Sequence, residues 1–111
     1  MQILYYDCFS GISGDMNLGA MIDLGVDASY VISELQKLNL SGYTISFTKD
    51  QRKGITGTRA NILIEHEDGH QHNHETHVHG RNLSDIKLLI EKSSLDNEVK
   101  KLSIKIFFCP K

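Results

Sequence analysis

The spacing of apolar residues changes several times along the chain, and each change predicts a different element. Gln2-Ile3-Leu4-Tyr5-Tyr6 is a continuous apolar and aromatic run ended by a turn-forming cluster. That is the pattern of a strand covered on both faces, so this segment is expected at the centre of its sheet. Beyond the cluster Asp7-Cys8-Phe9-Ser10-Gly11-Ile12-Ser13-Gly14-Asp15, residues Leu18, Met21, Ile22 and Gly25 recur at i, i+3, i+4, i+7, which makes an amphipathic helix. Ser13 is its expected N-cap, Asp15 sits in the first turn where a carboxylate favours the helix dipole, and Gly25 is the stop.

A second helix follows, capped by Asp27 and stapled by Val26 onto Val31, with Ala28, Val31, Ile32, Leu35 and Leu38 as its core face. After a turn at Asn39 to Gly42, Tyr43, Ile45 and Phe47 alternate with Thr44, Ser46 and Thr48, a half-buried strand. Lys49 to Gly57 is polar with two glycines and reads as a long hairpin loop. Thr58, Ala60, Ile62 and Ile64 then alternate again as the returning antiparallel strand. After Gly80 two more helices are expected, one capped by Asn82 or Ser84 and carrying Leu83, Ile86, Leu89 and Ile90. The other is capped by Ser94 or Asp96 and carries Leu95, Val99, Leu102 and Ile106. The closing Phe107-Phe108-Cys109-Pro110-Lys111 does not finish that helix: proline is excluded from helix interiors, and the phenylalanines have no further chain to pack on, so the end reads as cut. The expected fold class is α/β, a two-layer sandwich with a small mixed sheet in the order β-α-α-β-β-α-α, with ferredoxin-like pairing as one option. At 111 residues the chain is expected to form one domain.

One segment fits none of these periods. His66-Glu67-Asp68-Gly69-His70-Gln71-His72-Asn73-His74-Glu75-Thr76-His77-Val78-His79 holds all six histidines, interleaved with carboxylates and amides. Such a composition cannot bury itself, so residues 66–80 are expected as a disordered loop. Neutral imidazole is the commonest protein ligand for late first-row metals, and nitrogen sites favour nickel and copper. His66, His70, His72, His74, His77 and His79 are therefore candidate ligands for a divalent transition metal. Their spacing fixes no coordination geometry, because His70, His72 and His74 share a face if extended and only His70 and His74 do if helical. His66 continues the phase of Ala60, Ile62 and Ile64 and is the histidine expected to be held in place. The plainer alternative is indiscriminate capture of metal by an imidazole-rich tract. A tag is a poorer account, since this run is internal and mixed with acids.

Charge and cysteine content narrow the classes. Twelve basic residues against fourteen acidic ones give a formal charge of −2, without the basic stripe that binding DNA or RNA demands. No apolar run approaches the roughly 18 residues of a membrane span. Met1 leads directly into the strand-like run rather than a signal peptide, which gives a cytoplasmic expectation. Cys8 and Cys109 lie far apart with no CxxC, so neither a disulfide framework nor a zinc ribbon is indicated.

The best pocket candidate is the turn from Asp7 to Asp15. It joins a strand end to a helix N-terminus, where backbone N–H groups of Ser10, Gly11, Ser13 and Gly14 can receive an anion and the carboxylates of Asp7 and Asp15 can hold a hard cation. It lacks the GK[ST] of a Walker A loop and the GxSxG of a nucleophile elbow. The competing reading is a capped tight turn whose glycines serve only backbone geometry. Cys8 and Met16 read more simply as packing residues than as soft ligands. Lys49, Arg52 and Lys53 read as a solvated hairpin loop, which leaves Arg59 as the basic residue not so explained.

Tyr6-Asp7-Cys8-Phe9-Ser10-Gly11-Ile12-Ser13-Gly14-Asp15-Met16, with Leu18-Gly19-Ala20 and Asp23-Leu24-Gly25, resembles the opening signature of the LarC family of nickel insertion proteins. Lys53-Gly54-Ile55 with Gly57-Thr58, the histidine-rich insert and the helical part from Arg81-Asn82-Leu83 to Phe107 follow the N-terminal region of that family as well. The resemblance implies a metal chelatase. Its members insert Ni(II) into pyridinium-3,5-bisthiocarboxylic acid mononucleotide, forming one nickel–carbon and two nickel–sulfur bonds, with CTP and Mg(II) or Mn(II), to make the nickel-pincer cofactor of lactate racemase. It also implies that the CTP-binding C-terminal part of the enzyme is a partner of this chain, and an end read through an unshifted reading frame is the expected origin of the terminal FCPK. Within this resemblance the histidines gather nickel, the Asp7 to Asp15 turn receives the mononucleotide, and Asp7 and Asp15 are the candidate catalytic groups. A non-catalytic nickel reservoir or metallochaperone is the competing class, and oligomerisation is left open.

Overall fold

A computed structural model describes residues 1–65 and 80–109. The chain divides into two compact units, Met1–Ala28 with Tyr43–Ile64 and Ser29–Gly42 with Glu65–Lys111. The class is α/β: helices α1 (Gly14–Asp23), α2 (Ala28–Gln36), α3 (Leu83–Lys92) and α4 (Asn97–Phe107) accompany the strands β1 (Tyr43–Arg52) and β2 (Ile55–Ile64).

The first unit is built on the β1–β2 hairpin, an antiparallel ladder running without a break from Tyr43 opposite Ile64 to Arg52 opposite Ile55. The long loop expected over Lys49 to Gly57 is therefore a correction: those residues are in the ladder, and the turn is only Lys53-Gly54. Both turn residues have positive φ, +50° and +83°. Primed hairpin turns of this kind match the right-handed twist of the strands and need only two residues, so the polar flanks are free to pair. On β1 the alternation is as expected, with Tyr43, Ile45 and Phe47 half-buried and Thr44, Ser46 and Thr48 exposed.

Helix α1 lies on β2, and small residues set the distance between them. Gly19 is the buried residue of the helix. A Cβ there would run into the Thr58 carbonyl oxygen of β2. Two positions on from Thr58, Ala60 is also buried, so a glycine and an alanine face each other's backbone where larger residues would hold the elements apart.

The segment Gln2 to Tyr6 is the second correction. It carries no ladder, and the sheet among the described residues has two antiparallel strands rather than a mixed set. A run apolar on both faces becomes a central strand only when neighbours cover both, and here Ile3, Leu4, Tyr5 and Tyr6 are all exposed. The Tyr6 hydroxyl anchors it to α1, donating to Asn17 Oδ1 at 2.9 Å.

The second unit is helical. On α2 the expected face, Val31, Ile32 and Leu35 with Leu38 just beyond, is half-buried. Asn82 caps α3 through a capping box: its side chain accepts from the Asp85 N–H at 2.9 Å and Asp85 accepts from the Asn82 N–H at 3.0 Å. Asp96 caps α4 by accepting from the Glu98 N–H. The core here is Ile90, only 4% exposed, whose burial contributes roughly 1.5–3 kcal/mol. Beside it Ser93 is buried with its hydroxyl donating to the Ile90 carbonyl at 2.6 Å. The Ser94 N–H donates to the Lys37 carbonyl, tying the α3–α4 junction to the end of α2. Contrary to expectation, Phe108 does find a partner: the Lys87 ammonium lies 5.7 Å from its ring centroid, within cation–π range.

Candidate functional site

The turn before α1 is shaped by one glycine. Gly11, at φ +80°, lets its N–H fold back onto the Cys8 carbonyl at 2.9 Å, so the chain reverses and enters the helix at Ser13. Ser13 has the extended backbone of an N-cap, and its carbonyl accepts the first helical bond from Asn17. Its hydroxyl does not cap. Instead it donates to Asp15 Oδ1 at 2.5 Å, so the Ser13 side chain makes no cap bond to the first turn of α1.

Asp15 is held below the usual carboxylate range, first by the Ser13 hydroxyl, against a desolvation that works the other way. The backbone N–H groups of Met16 and Asp15 and the charge of Arg59 add to the lowering. Asp15 is thus ionised at neutral pH, and it belongs to a cleft of about 550 Å³ between the start of α1 and the hairpin. Ser13, Asp15 and Met16 line it from the helix, and Arg52, Thr58 and Arg59 from the strands. A second hollow of about 360 Å³ shares Asp15, Arg59 and Ala60 with it. Both volumes fall in the range of small-ligand sites.

The other end of α1 is latched to the same strand. Asp23 accepts from Lys49 Nζ at 2.6 Å, from the Thr58 hydroxyl at 2.6 Å and from the Thr58 N–H at 2.7 Å. These donors, Lys49 first, lower its pKa to about 2. Gly57 sits under this carboxylate, where a Cβ would be 3.4 Å from Asp23 Oδ2. The latch fixes the Thr58 segment of β2 against α1.

Of the residues singled out in the sequence, Ser13 and Asp15 line the cleft, whereas Asp7, Ser10, Gly11 and Gly14 do not. Asp7, Ser10, Gly11 and Gly14 are exposed on the turn and the first helical residue, and Cys8 is half-buried. His66, His70, His72, His74, His77 and His79 lie outside the described residues. Among the described residues no group of three His, Cys, Asp or Glu side chains stands close enough to hold a metal ion. No helix among them is long and apolar enough to cross a membrane. Sequence reasoning missed Asp23, Lys49 and Thr58 as a unit because their contacts span 26 and 35 positions of the chain. Of the hairpin side of the cleft, the sequence singled out only Arg59, as the basic residue that a solvated loop did not account for.

The model of a family described as nickel insertion protein matches residues 4–109. The chain is 48% identical to the pyridinium-3,5-bisthiocarboxylic acid mononucleotide nickel insertion protein of Clostridium acetobutylicum, a match that covers 96% of this chain and 31% of the relative. Proteins of the same name from Geobacillus kaustophilus and Acetivibrio thermocellus are 45% and 47% identical, over 98% and 96% of this chain and 26% of each relative. The chain thus spans between about a quarter and a third of the length of these relatives. No solved structure matches it. On a match that runs over nearly its whole length, the chain belongs to the nickel insertion protein family.

Proposed function

We propose that residues 1–111 are the N-terminal part of a nickel chelatase that inserts Ni(II) into pyridinium-3,5-bisthiocarboxylic acid mononucleotide, the substrate in the relatives' names. The observation that carries the reading is the family match over residues 4–109, and the cleft at the start of α1 supplies a compartment of suitable size. Nickel is the cargo, and we assign its capture to His66, His70, His72, His74, His77 and His79. Ser10, Gly11, Ser13 and Gly14 form the turn that admits the mononucleotide.

Insertion exchanges a ring C–H bond for a nickel–carbon bond while two thiocarboxylate sulfurs bind the metal. The proton released needs a base, and Asp7 and Asp15 are the carboxylates placed at the turn. Asp15 is ionised at neutral pH, so it is in the form that accepts a proton, while its lowered pKa makes it a weaker base than an ordinary carboxylate. The cofactor made in this way is the nickel-pincer group of lactate racemase, and the chain works in the cytoplasm.

CTP with Mg(II) or Mn(II) does not fit the described residues, which offer neither a GK[ST] loop nor three clustered metal ligands. We assign them to the part of the family's length that this chain does not span. Exposed Ile3, Tyr5 and Phe9, at 77%, 81% and 96%, offer that part an apolar surface to cover.

The competing reading, a nickel reservoir without catalytic role, is favoured by the confinement of every histidine to one stretch. Nickel transfer to the mononucleotide in the presence of CTP separates the two. It is measured with this chain alone, with the chain plus the remaining part of a relative, and with His70 to His79 deleted. Insertion that proceeds equally well without this chain overturns the enzyme-part reading. Insertion that survives the deletion when nickel is in excess makes the stretch a feeder and leaves the chemistry in the cleft.

A further inference from the structure

The cleft holds two charges of opposite sign that the fold does not use against each other. Asp15 is satisfied by the Ser13 hydroxyl, and the Arg59 guanidinium makes no hydrogen bond or ion pair with any described residue, although its charge reaches Asp15. The other charged pair lining the cleft, Arg52 and Asp50, touches only at 4.0 Å with the arginine 83% exposed, a weak pair open to solvent at the rim. Of the four charged groups lining the cleft, Asp15 and Arg59 are the carboxylate and the guanidinium that also line the second hollow. A purely anionic ligand is repelled by Asp15 and a purely cationic one by Arg59. A zwitterion suits both, and Met16 and Ile55 supply an apolar wall against which a flat ring can lie.

Resting on the reading above, we propose that Arg59 and Asp15 are a two-signed specificity pair for a pyridinium mononucleotide: Arg59 takes an oxyanion of the ligand and Asp15 faces its cationic ring. Guanidinium presents a rigid fork of N–H donors that matches phosphate and carboxylate geometry in two parallel bonds, which a lysine cannot reproduce. The attraction of Asp15 for the ring comes from charge alone and disappears when the ring is neutral. The latch at Asp23 holds the strand that carries Arg59 against the helix that carries Asp15.

The test is a set of titrations on the whole chain. Nicotinate mononucleotide carries a cationic ring, a carboxylate and a phosphate; orotidine monophosphate carries the same two anions on a neutral ring; nicotinate riboside lacks the phosphate. The wild-type chain is expected to prefer nicotinate mononucleotide over orotidine monophosphate by about tenfold, and D15N to abolish that preference. R59Q is expected to weaken both mononucleotides by roughly tenfold or more, with partial recovery in R59K. If the R59Q effect vanishes with the riboside, the oxyanion held is the phosphate; if it persists, it is the ring carboxylate. Wild-type affinity in R59Q, an unchanged preference in D15N, or no binding by the wild-type chain each overturns the proposal. Failure of the nickel-insertion reading is separate. A chain dispensable for insertion that still binds through Arg59 keeps this pair, and a chain required for insertion whose R59Q variant binds unaltered loses it.

Discussion

Thr58 meets Asp23 twice, its backbone N–H and its hydroxyl both donating to the one carboxylate, at 2.7 and 2.6 Å. The contact joins the last residue of α1 to the middle of β2 across 35 positions of sequence. A strand N–H pointing away from its ladder partner is thereby satisfied by the helix it packs on, so loss of the carboxylate charge weakens both elements together.

The latch gives the protein an acid limit. The donors around Asp23, Lys49 and then Thr58, hold its pKa at about 2, against a value of about 4 in an unfolded chain. Because the folded value is the lower one, the contribution is fully present above about pH 4 and is lost as pH falls toward about 2. Thermal unfolding followed by circular dichroism should therefore show the melting temperature falling over this window, with a shallower fall in D23N. Parallel pH profiles for the two proteins count against the latch. Lys49 is 68% exposed, so added salt should weaken its share while leaving the Thr58 bonds.

Gly19 should be intolerant of even one carbon. A Cβ there runs into the Thr58 carbonyl oxygen, a backbone atom held in place by the ladder. G19A is expected to destabilise by roughly 1–3 kcal/mol, as overpacking of a tight contact does, which lowers the melting temperature by several degrees or more. Gly14, with open space around its Cβ position, is the control, and G14A should stay within about 0.5 kcal/mol of wild type in the same denaturant titration.

The hairpin turn can be improved. Lys53 holds φ +50° without being a glycine, in front of Gly54 at φ +83°. Asparagine tolerates the left-handed region better than lysine and Asn-Gly is the preferred pair for this turn, so K53N should stabilise by about 0.5 kcal/mol. The exposed side chain makes no other demand on position 53. A midpoint in urea that moves down instead of up contradicts this account of the turn.

How much of this was legible depended on the range of the signal. The Asn82 cap was visible as one of two choices, as was the Asp96 cap, while the reciprocal bond from Asp85 that completes the capping box came from the structure. The half-buried faces of α2 and β1 followed from periodicity alone. The hairpin loop was misjudged because Lys49 to Gly57 is polar, and polarity is shared by loops and by strand faces open to water; the turn residues Lys53-Gly54 were the better signal. Gln2 to Tyr6 reads as a central strand because local apolarity says what a segment would do with cover on both faces, not whether the cover is there. The hairpin side of the cleft rests on contacts between distant residues, which no local pattern encodes.

Nickel loading and ring recognition should separate with pH. Unperturbed imidazole titrates near 6.5, and a protonated histidine cannot bind metal, so nickel held by the histidine stretch should be released as pH falls from about 7 to about 5. Asp15 does not respond in this window: with its pKa held below the ordinary carboxylate value by the Ser13 hydroxyl first and by the neighbouring N–H groups and Arg59 after it, it stays ionised throughout. The preference for nicotinate mononucleotide over orotidine monophosphate, two ligands whose phosphates titrate alike, should therefore be the same at both ends of the window while bound nickel, measured by elemental analysis after desalting, falls to a minor fraction. A preference that collapses together with nickel content would place a histidine, rather than Asp15, opposite the ring.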